Sequence, residues 1–369
     1  MNQNIVVSTP GRICLFGEHQ DYLGLPVIAA AISKRIQVSG RRRHDNQVVI
    51  QLPDIQQTES FALTPELTYH QARDYFKSAI TILRRDEQLV FSRGFEATVR
   101  GTIPINAGAS SSSALVVTWV NFLLQLTDQS LTRSAEDIAR LAHRAEVLEF
   151  GEPGGMMDHY ATAVGNVIYL ESQPSIRLER LQPKLGAFVL GDSGQPKDTL
   201  GILKRVKVGM LDALAKIQAH DPTFDLHTAP LEQADEYRRQ LSSDEASLLR
   251  SNLSDRDILR EAKTLLTTQP IDDRQLGVLL NRHQTNLRDA KRTSTPKIDR
   301  MLTAALDAGA LGGKINGSGG GGCMFAYAPD NPEAVVEAIE QQGAKAYIIT
   351  IDEGTNVSLA SPAEIESTL

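Results

Sequence analysis

The stretch PGRICLFGEHQDYLG, residues 10–24, crowds Glu18, His19 and Asp21 into a turn closed by glycines, with Arg12 in the strand-like run before it. Carboxylates accept hydrogen bonds from neighbouring hydroxyls, so this set suits a polyhydroxylated ligand. A solvated turn with a capped end is the alternative. A second stretch, GTIPINAGASSSSALVV (101–117), sets Ser110, Ser111, Ser112 and Ser113 side by side after a loop of small residues and before aliphatic helix formers. A serine hydrolase needs one activated hydroxyl on an elbow such as G-x-S-x-G, and the run lacks that spacing. It reads instead as an anion cradle. The turn formed by Pro104 and Asn106 to Ala109 receives the unpaired N–H groups and positive dipole end of a helix beginning near Ser111, and a hydroxyl there ligates Mg²⁺ or bonds a phosphate. Plain serine N-capping is the alternative.

A third stretch, NGSGGGGC (316–323), satisfies G-x-G-x-x-G through Gly317, Gly319 and Gly322. A dinucleotide fingerprint opens a helix, whereas this loop runs into the strand-like CMFAY, which argues against a Rossmann oxidoreductase. A glycine loop between two strands brings backbone close to a ligand or to another loop; a flexible hairpin is the bland reading. No G-x-x-x-x-G-K-[ST] occurs, so the phosphate cradle is not a Walker loop.

These residues need a scaffold, and the chain has length for it. Its 369 residues are 41% hydrophobic, enough for two domains, or for one large one, with a real core. Lys plus Arg number 38 against 45 Asp plus Glu, a formal charge of -7, which advertises neither nucleic acid nor an anionic membrane as partner. The run Arg41-Arg42-Arg43-His44 reads as a solvated hairpin edge. Cys14 and Cys323 each sit in an apolar run, too far apart in sequence for a metal-ligand motif, and a reducing cytoplasm fits best. Neither a signal peptide nor a membrane span is read, and a monomer is expected.

Short β-branched runs come first: NIVVS, RICLF, VIAAAISKRIQVSG, QVVIQL and FEATVRG. Helical periodicity follows over Tyr69–Asp86, Ser111–Leu126 and Ala135–Phe150. Periodicity lapses around Gln173-Pro174-Ser175 after NVIYLES, which puts a domain boundary within 171–184. Residues 1–175 then form an N-terminal domain and 185–369 a C-terminal one. Leu200 to about Gly309 is nearly all helix, and the end alternates: GGKIN, the glycine loop, CMFAYA, helix PEAVVEAIEQQG, AYIITID and NVSLA. Strands and helices mixed without strict alternation indicate an α+β fold.

Taken in order, the three motif stretches resemble those of the GHMP kinase superfamily, named for galactokinase, homoserine kinase, mevalonate kinase and phosphomevalonate kinase, and GEHQDY resembles the galactokinase signature. A fourth stretch, AEVLEFGEPGGMMDHY (145–160), is similar to the galactokinase segment in which an acidic metal ligand precedes the catalytic aspartate by twelve residues, the interval from Glu146 to Asp158. The resemblance implies two α+β domains, one like a ribosomal-protein half-barrel and one ferredoxin-like, with the site in the cleft. It further implies an ATP-dependent kinase acting on the anomeric hydroxyl of a monosaccharide, galactose first. Gly108, Ala109, Ser110, Ser111 and Ser112 would then wrap the nucleotide phosphates, and Ser112 and Glu146 would hold Mg²⁺. Asp158 would face the anomeric hydroxyl beside Arg12; Glu18, His19, Asp21 and Gly155 would bind the rest of the sugar. Galactokinases usually have Asn at Cys14 and Leu23, Gly at Leu25 and Ala at Ser113, and the loop Ser318–Gly321 is also atypical. These departures bear on the sugar more than on phosphoryl transfer. A kinase for a uronic acid, arabinose or fucose, and a non-catalytic sugar and ATP sensor, stay open.

Overall fold

The computed structural model describes residues 4–105, 108–129, 131–152, 154–197 and 199–360. The turn residues Asn106 and Ala107 lie outside the described residues. The strands are β1 (Asn4–Phe16), β2 (Val27–Arg42), β3 (Gln47–Leu52), β4 (Gln57–Ala62), β5 (Phe95–Gly101), β6 (Val167–Glu171), β7 (Arg177–Leu181), β8 (Phe188–Asp192), β9 (Gly312–Ile315), β10 (Cys323–Tyr327), β11 (Lys345–Ile349) and β12 (Asn356–Ala360). The helices are α1 (Tyr75–Glu87), α2 (Ser111–Leu126), α3 (Ala135–His143), α4 (Met157–Val164), α5 (Thr199–Leu203), α6 (Gly209–His220), α7 (Ser243–Thr267), α8 (Asp273–Thr285), α9 (Pro296–Asp307) and α10 (Pro332–Glu340).

The strands form two sheets, one in the order β12-β1-β2-β5-β3-β4 with β6 on β2 and β7 on β6, the other in the order β11-β8-β10-β9. The α+β architecture expected from the pattern is therefore what the chain adopts. NIVVS and RICLF fuse into one long strand, β1, because Thr9, Pro10 and Gly11 stay paired with β2 across a register shift. Arg41 to His44 do not edge a hairpin: β2 pairs with β5, and β5 lies parallel to β3, so the basic run leads away from its strand neighbour. Its arginines are instead tied to Glu96, Asp128 and Asp45.

Strand alternation decides what each sheet face meets. On the second sheet, Phe188, Leu190, Cys323, Phe325 and Tyr327 point toward α7 and α8 and share a core with Ile13, Leu15 and Phe16 of β1. Val189, Met324 and Ala326 point the other way, onto α9 and α10. The helices α1 to α4 cover the first sheet with a third core around Trp119 and Phe122. One shared core thus joins β1 to the second sheet, which brings the end of β1 and the glycine loop after β9 together. The hairpin β6–β7 lies wholly in the first sheet, and β12 returns the chain to β1.

Two helices differ from their sequence pattern. The first begins at Tyr75 rather than Tyr69, after Arg73 takes a left-handed φ of 67° that a helix does not continue through. The run from Ala135 leaves α-helical geometry at Arg144 for a π-turn over Arg144–Leu148, a distortion that often re-aims a functional side chain. It carries Glu146.

Candidate active site

A cavity of about 470 Å³ opens between β1, the N-terminal ends of α2 and α4, the π-turn and the loop after β8. Arg12, Asp21, Gly108, Ser110, Ser111, Ser112, Glu146, Gly155 and Asp158 all line it. Three of the four motif stretches, spread from residue 12 to residue 158, thus meet in one place.

Asp158 stands in the first turn of α4 and takes two hydrogen bonds from the Arg12 guanidinium, 2.8 Å from Nε and 2.9 Å from Nη2. Burial alone would push its pKa up, but the Arg12 charge and hydrogen bonds, helped by Ser110, hold the carboxyl below its ordinary value. Arg12 also donates from Nη1 to the carbonyl of Gly108, tying Asp158 to the loop before α2. Gly108 has φ 99°, and a Cβ there would fall 2.9 Å from the Asn316 carbonyl. Only glycine lets the loop pass. Ser110 caps α2 from a left-handed φ of 59° without a side-chain capping bond, so the N–H end of α2 is directed at the cavity.

Glu146 accepts a 2.7 Å hydrogen bond from Nε2 of buried His159. Burial pushes its pKa up, yet His159, Ser112 and Ser113 outweigh that and leave it lowered. A single ionised carboxylate beside a serine hydroxyl is a sparse donor set, and no cluster of three or more metal-ligating side chains occurs among the described residues. It fits Mg²⁺, which takes one or two carboxylates and fills its octahedron with phosphate oxygens and water.

Asp21 opens a short 3₁₀ turn, and its Oδ1 accepts from the Tyr22 N–H at 2.9 Å. A Cβ on Gly155 would sit 1.5 Å from Asp21 Oδ2, so Gly155 acts by having no side chain. Burial first, and then the nearby Asp158 charge, raise the Asp21 pKa to about 6.

Glu18 and His19, expected to bind the sugar, do not line this cavity. Glu18 is buried against the ammonium of Lys314 from β9, a cation that sequence distance hides. His19, at a left-handed φ of 62°, is held by the Ser318 carbonyl at 3.0 Å and the Tyr22 hydroxyl at 3.2 Å. A carbonyl only accepts, so Nε2 carries the proton; burial and Lys291 press the pKa down to about 3, leaving a neutral ring. Ala109 is fully buried under the loop. Among the lining residues that escaped the sequence reading are Arg73 with its partner Glu152, His159 and Lys197. His159 adjoins a motif residue and was legible in principle; Lys197 and Arg73 carry no local signal.

Comparison with known proteins gives the family. The pattern for the GHMP kinases N terminal domain matches residues 74–166, that for the GHMP kinases C terminal matches 263–345, and the galactokinase galactose-binding signature matches 1–42. A mevalonate kinase of Thermococcus gammatolerans is 30% identical over 97% of this chain and 99% of its own. The chain belongs to the GHMP kinases. The GHMP kinase is also 27% identical to a galactokinase of Pasteurella multocida, over 95% of this chain and 94% of that one. In fold it is similar to Lactococcus lactis galactokinase complexed with galactose, with a TM-score of 0.83 at 24% identity over 96% and 95% of the two chains. No helix among the described residues of the GHMP kinase is long and apolar enough to cross a membrane.

Proposed function

We propose that this GHMP kinase transfers the γ-phosphoryl group of ATP to the anomeric C1 hydroxyl of a neutral monosaccharide, galactose first. The observation that carries the reading is the pair of carboxylates, Asp21 and Asp158, lining one cavity with Gly155 against Asp21. Ionised carboxylates recognise hydroxyl donors, and an epimer that misplaces a donor leaves a buried acceptor unpaired. The same pair repels an acceptor bearing its own carboxylate, such as mevalonate or a uronic acid.

In this reading Asp158 orients the attacking hydroxyl and receives its proton as the oxygen–phosphorus bond forms and the bond to the ADP oxygen breaks. Arg12 keeps Asp158 ionised and in place. Glu146 and Ser112 would hold Mg²⁺, whose chemistry is to neutralise phosphate charge. Glu18 and His19 position the turn that carries Asp21. The N-terminal unit, 1–175, supplies the phosphate loop and the C-terminal unit, 185–369, closes the cavity.

The similarity to mevalonate kinases supports a second reading, in which mevalonate is the acceptor. The test is ATP consumption with Mg²⁺ across galactose, glucose, arabinose, fucose, N-acetylgalactosamine, glucuronate, galacturonate and mevalonate. Turnover confined to a neutral sugar supports the proposal. Preference for mevalonate overturns it, and ATP binding without turnover on any acceptor points to a sensor.

A further inference from the structure

Three cations line the cavity, and two of them are already committed. Arg12 is bonded to Asp158 and to the Gly108 carbonyl. Arg73 is paired with Glu152 through both carboxylate oxygens. Lys197 has no ion-pair partner among the described residues, although it is half-buried and its tip approaches the phosphate loop: a Cβ built on Gly108 lies 3.2 Å from its Cε and 3.4 Å from its Nζ. Four carboxylates, Asp21, Glu146, Glu152 and Asp158, line the same space. A triphosphate entering it needs positive charge, and the stretch Gly108–Ser113 contains no lysine.

The glycine-rich loop explains how Lys197 reaches this position. The N–H of Gly322 donates to the Gln195 carbonyl at 3.0 Å, and Ser193 donates to the Gly322 carbonyl from both its N–H and its hydroxyl. Gly321 has φ 130°, and a Cβ there would meet the Pro196 carbonyl at 2.5 Å. From the other side Thr295 holds the Gln195 side chain and Lys297 the Ser193 carbonyl. The segment 193–196 is thus clamped between the glycine loop and the start of α9, which delivers the next residue, Lys197, to Gly108.

We propose that Lys197 is a catalytic residue of the phosphoryl transfer, its ammonium donating to the γ-phosphoryl group as charge moves onto the leaving ADP oxygen. The inference rests on the kinase reading above. Its place near Arg12 and Asp158, which both act on it electrostatically, sets it at the acceptor end of the triphosphate rather than at the base or ribose. The sugar oxygen bonds to phosphorus, the bond from phosphorus to the β-phosphate oxygen breaks with its electrons on ADP, and the hydroxyl proton passes to Asp158. Lys197 stays protonated throughout.

Calorimetry with a non-hydrolysable ATP analogue and with ADP, on the wild type and on K197M and K197R, tests the assignment together with steady-state kinetics. K197M is expected to lose about 10²–10³ in kcat, the usual cost of one preorganised charge donor, with the sugar KM within about threefold. It should bind the ATP analogue about tenfold more weakly and ADP unchanged, and K197R should recover the preference for the analogue. Equal weakening of both nucleotides, kcat within about threefold of wild type, or a K197R no better than K197M would overturn it. Should K197M lose its cooperative melt, K197R and K197Q give the same comparison. A wild type that phosphorylates mevalonate and no sugar, with that turnover and the analogue preference both lost in K197M, sinks the sugar-kinase reading and leaves this one standing.

Discussion

The guanidinium of Arg12 meets the carboxylate of Asp158 through two parallel hydrogen bonds, 2.8 and 2.9 Å long, across a sequence separation of 146 residues. A bidentate pair of this kind fixes orientation as well as charge. It also makes Asp158 a weak base, because Arg12 favours the ionised form. In the proposed reaction Asp158 would therefore act chiefly by aiming the acceptor hydroxyl.

Asp158→Asn is expected to lower kcat by about 10² to 10⁴, the scale of a lost acid–base group, while calorimetry still detects sugar binding. Turnover near the wild-type rate would remove Asp158 from the reaction.

For the proposed sugar reaction, the acid limb of kcat/KM is expected to belong to Asp21. Its folded pKa of about 6 lies above the ordinary 3.8, whereas Asp158 stays ionised to lower pH. Sugar affinity is expected to rise with pH through about 6, and Asp21→Asn should abolish that limb. The raised pKa means the folded state binds the extra proton between about 4 and 6, so stability falls as pH rises through that window. Asp21→Asn should then stabilise the protein at pH 7–8 by about 1–2 kcal/mol, discounted from the full shift because the carboxylate is partly exposed. Asp21→Ala should flatten discrimination among hexose epimers; an unchanged preference profile takes Asp21 out of the sugar shell.

His159 bonds Glu146 and so sets the charge and direction of the carboxylate that would hold Mg²⁺. Substituting His159 by Ala should raise the Mg²⁺ concentration for half-maximal rate by about 10–100-fold, the usual effect of removing a ligand's hydrogen-bond partner, with kcat largely recovered at saturating metal. A rate that falls without any shift in Mg²⁺ dependence contradicts this role.

Lys314 and Glu18 form a buried pair, at 0% and 2% side-chain exposure. Lys314→Met strands a buried carboxylate and should cost about 3–5 kcal/mol in urea unfolding. The double variant with Glu18→Gln should recover much of the loss; equal losses in single and double variants would mean that packing, not charge, is at stake.

What the sequence revealed and what it hid divide along the reach of local rules. Ser111 and Leu126, read as helix bounds, are the ends of α2, since apolar periodicity and small residues before it are local signals. The convergence of Arg12, Ser112, Glu146 and Asp158 was legible through the family resemblance that their motifs carry. The buried side of Glu18 was not, because its partner Lys314 lies 296 residues away and no spacing rule links them. Lys197 was invisible for the same reason: its position depends on Gly321 and Gly322 clamping Gln195 and Pro196. The π-turn at Glu146 eluded a 3.6-residue period by definition.

The most direct test of the account is the identity of the phosphorylated product, read by ³¹P and ¹³C NMR after incubation with ATP, Mg²⁺ and galactose. Phosphorus coupled to the anomeric carbon, with loss of reducing-end signals and product formed far more slowly by Asp158→Asn, is the predicted result. A phosphate on any other carbon, or product formed from mevalonate and not from a sugar, would contradict it.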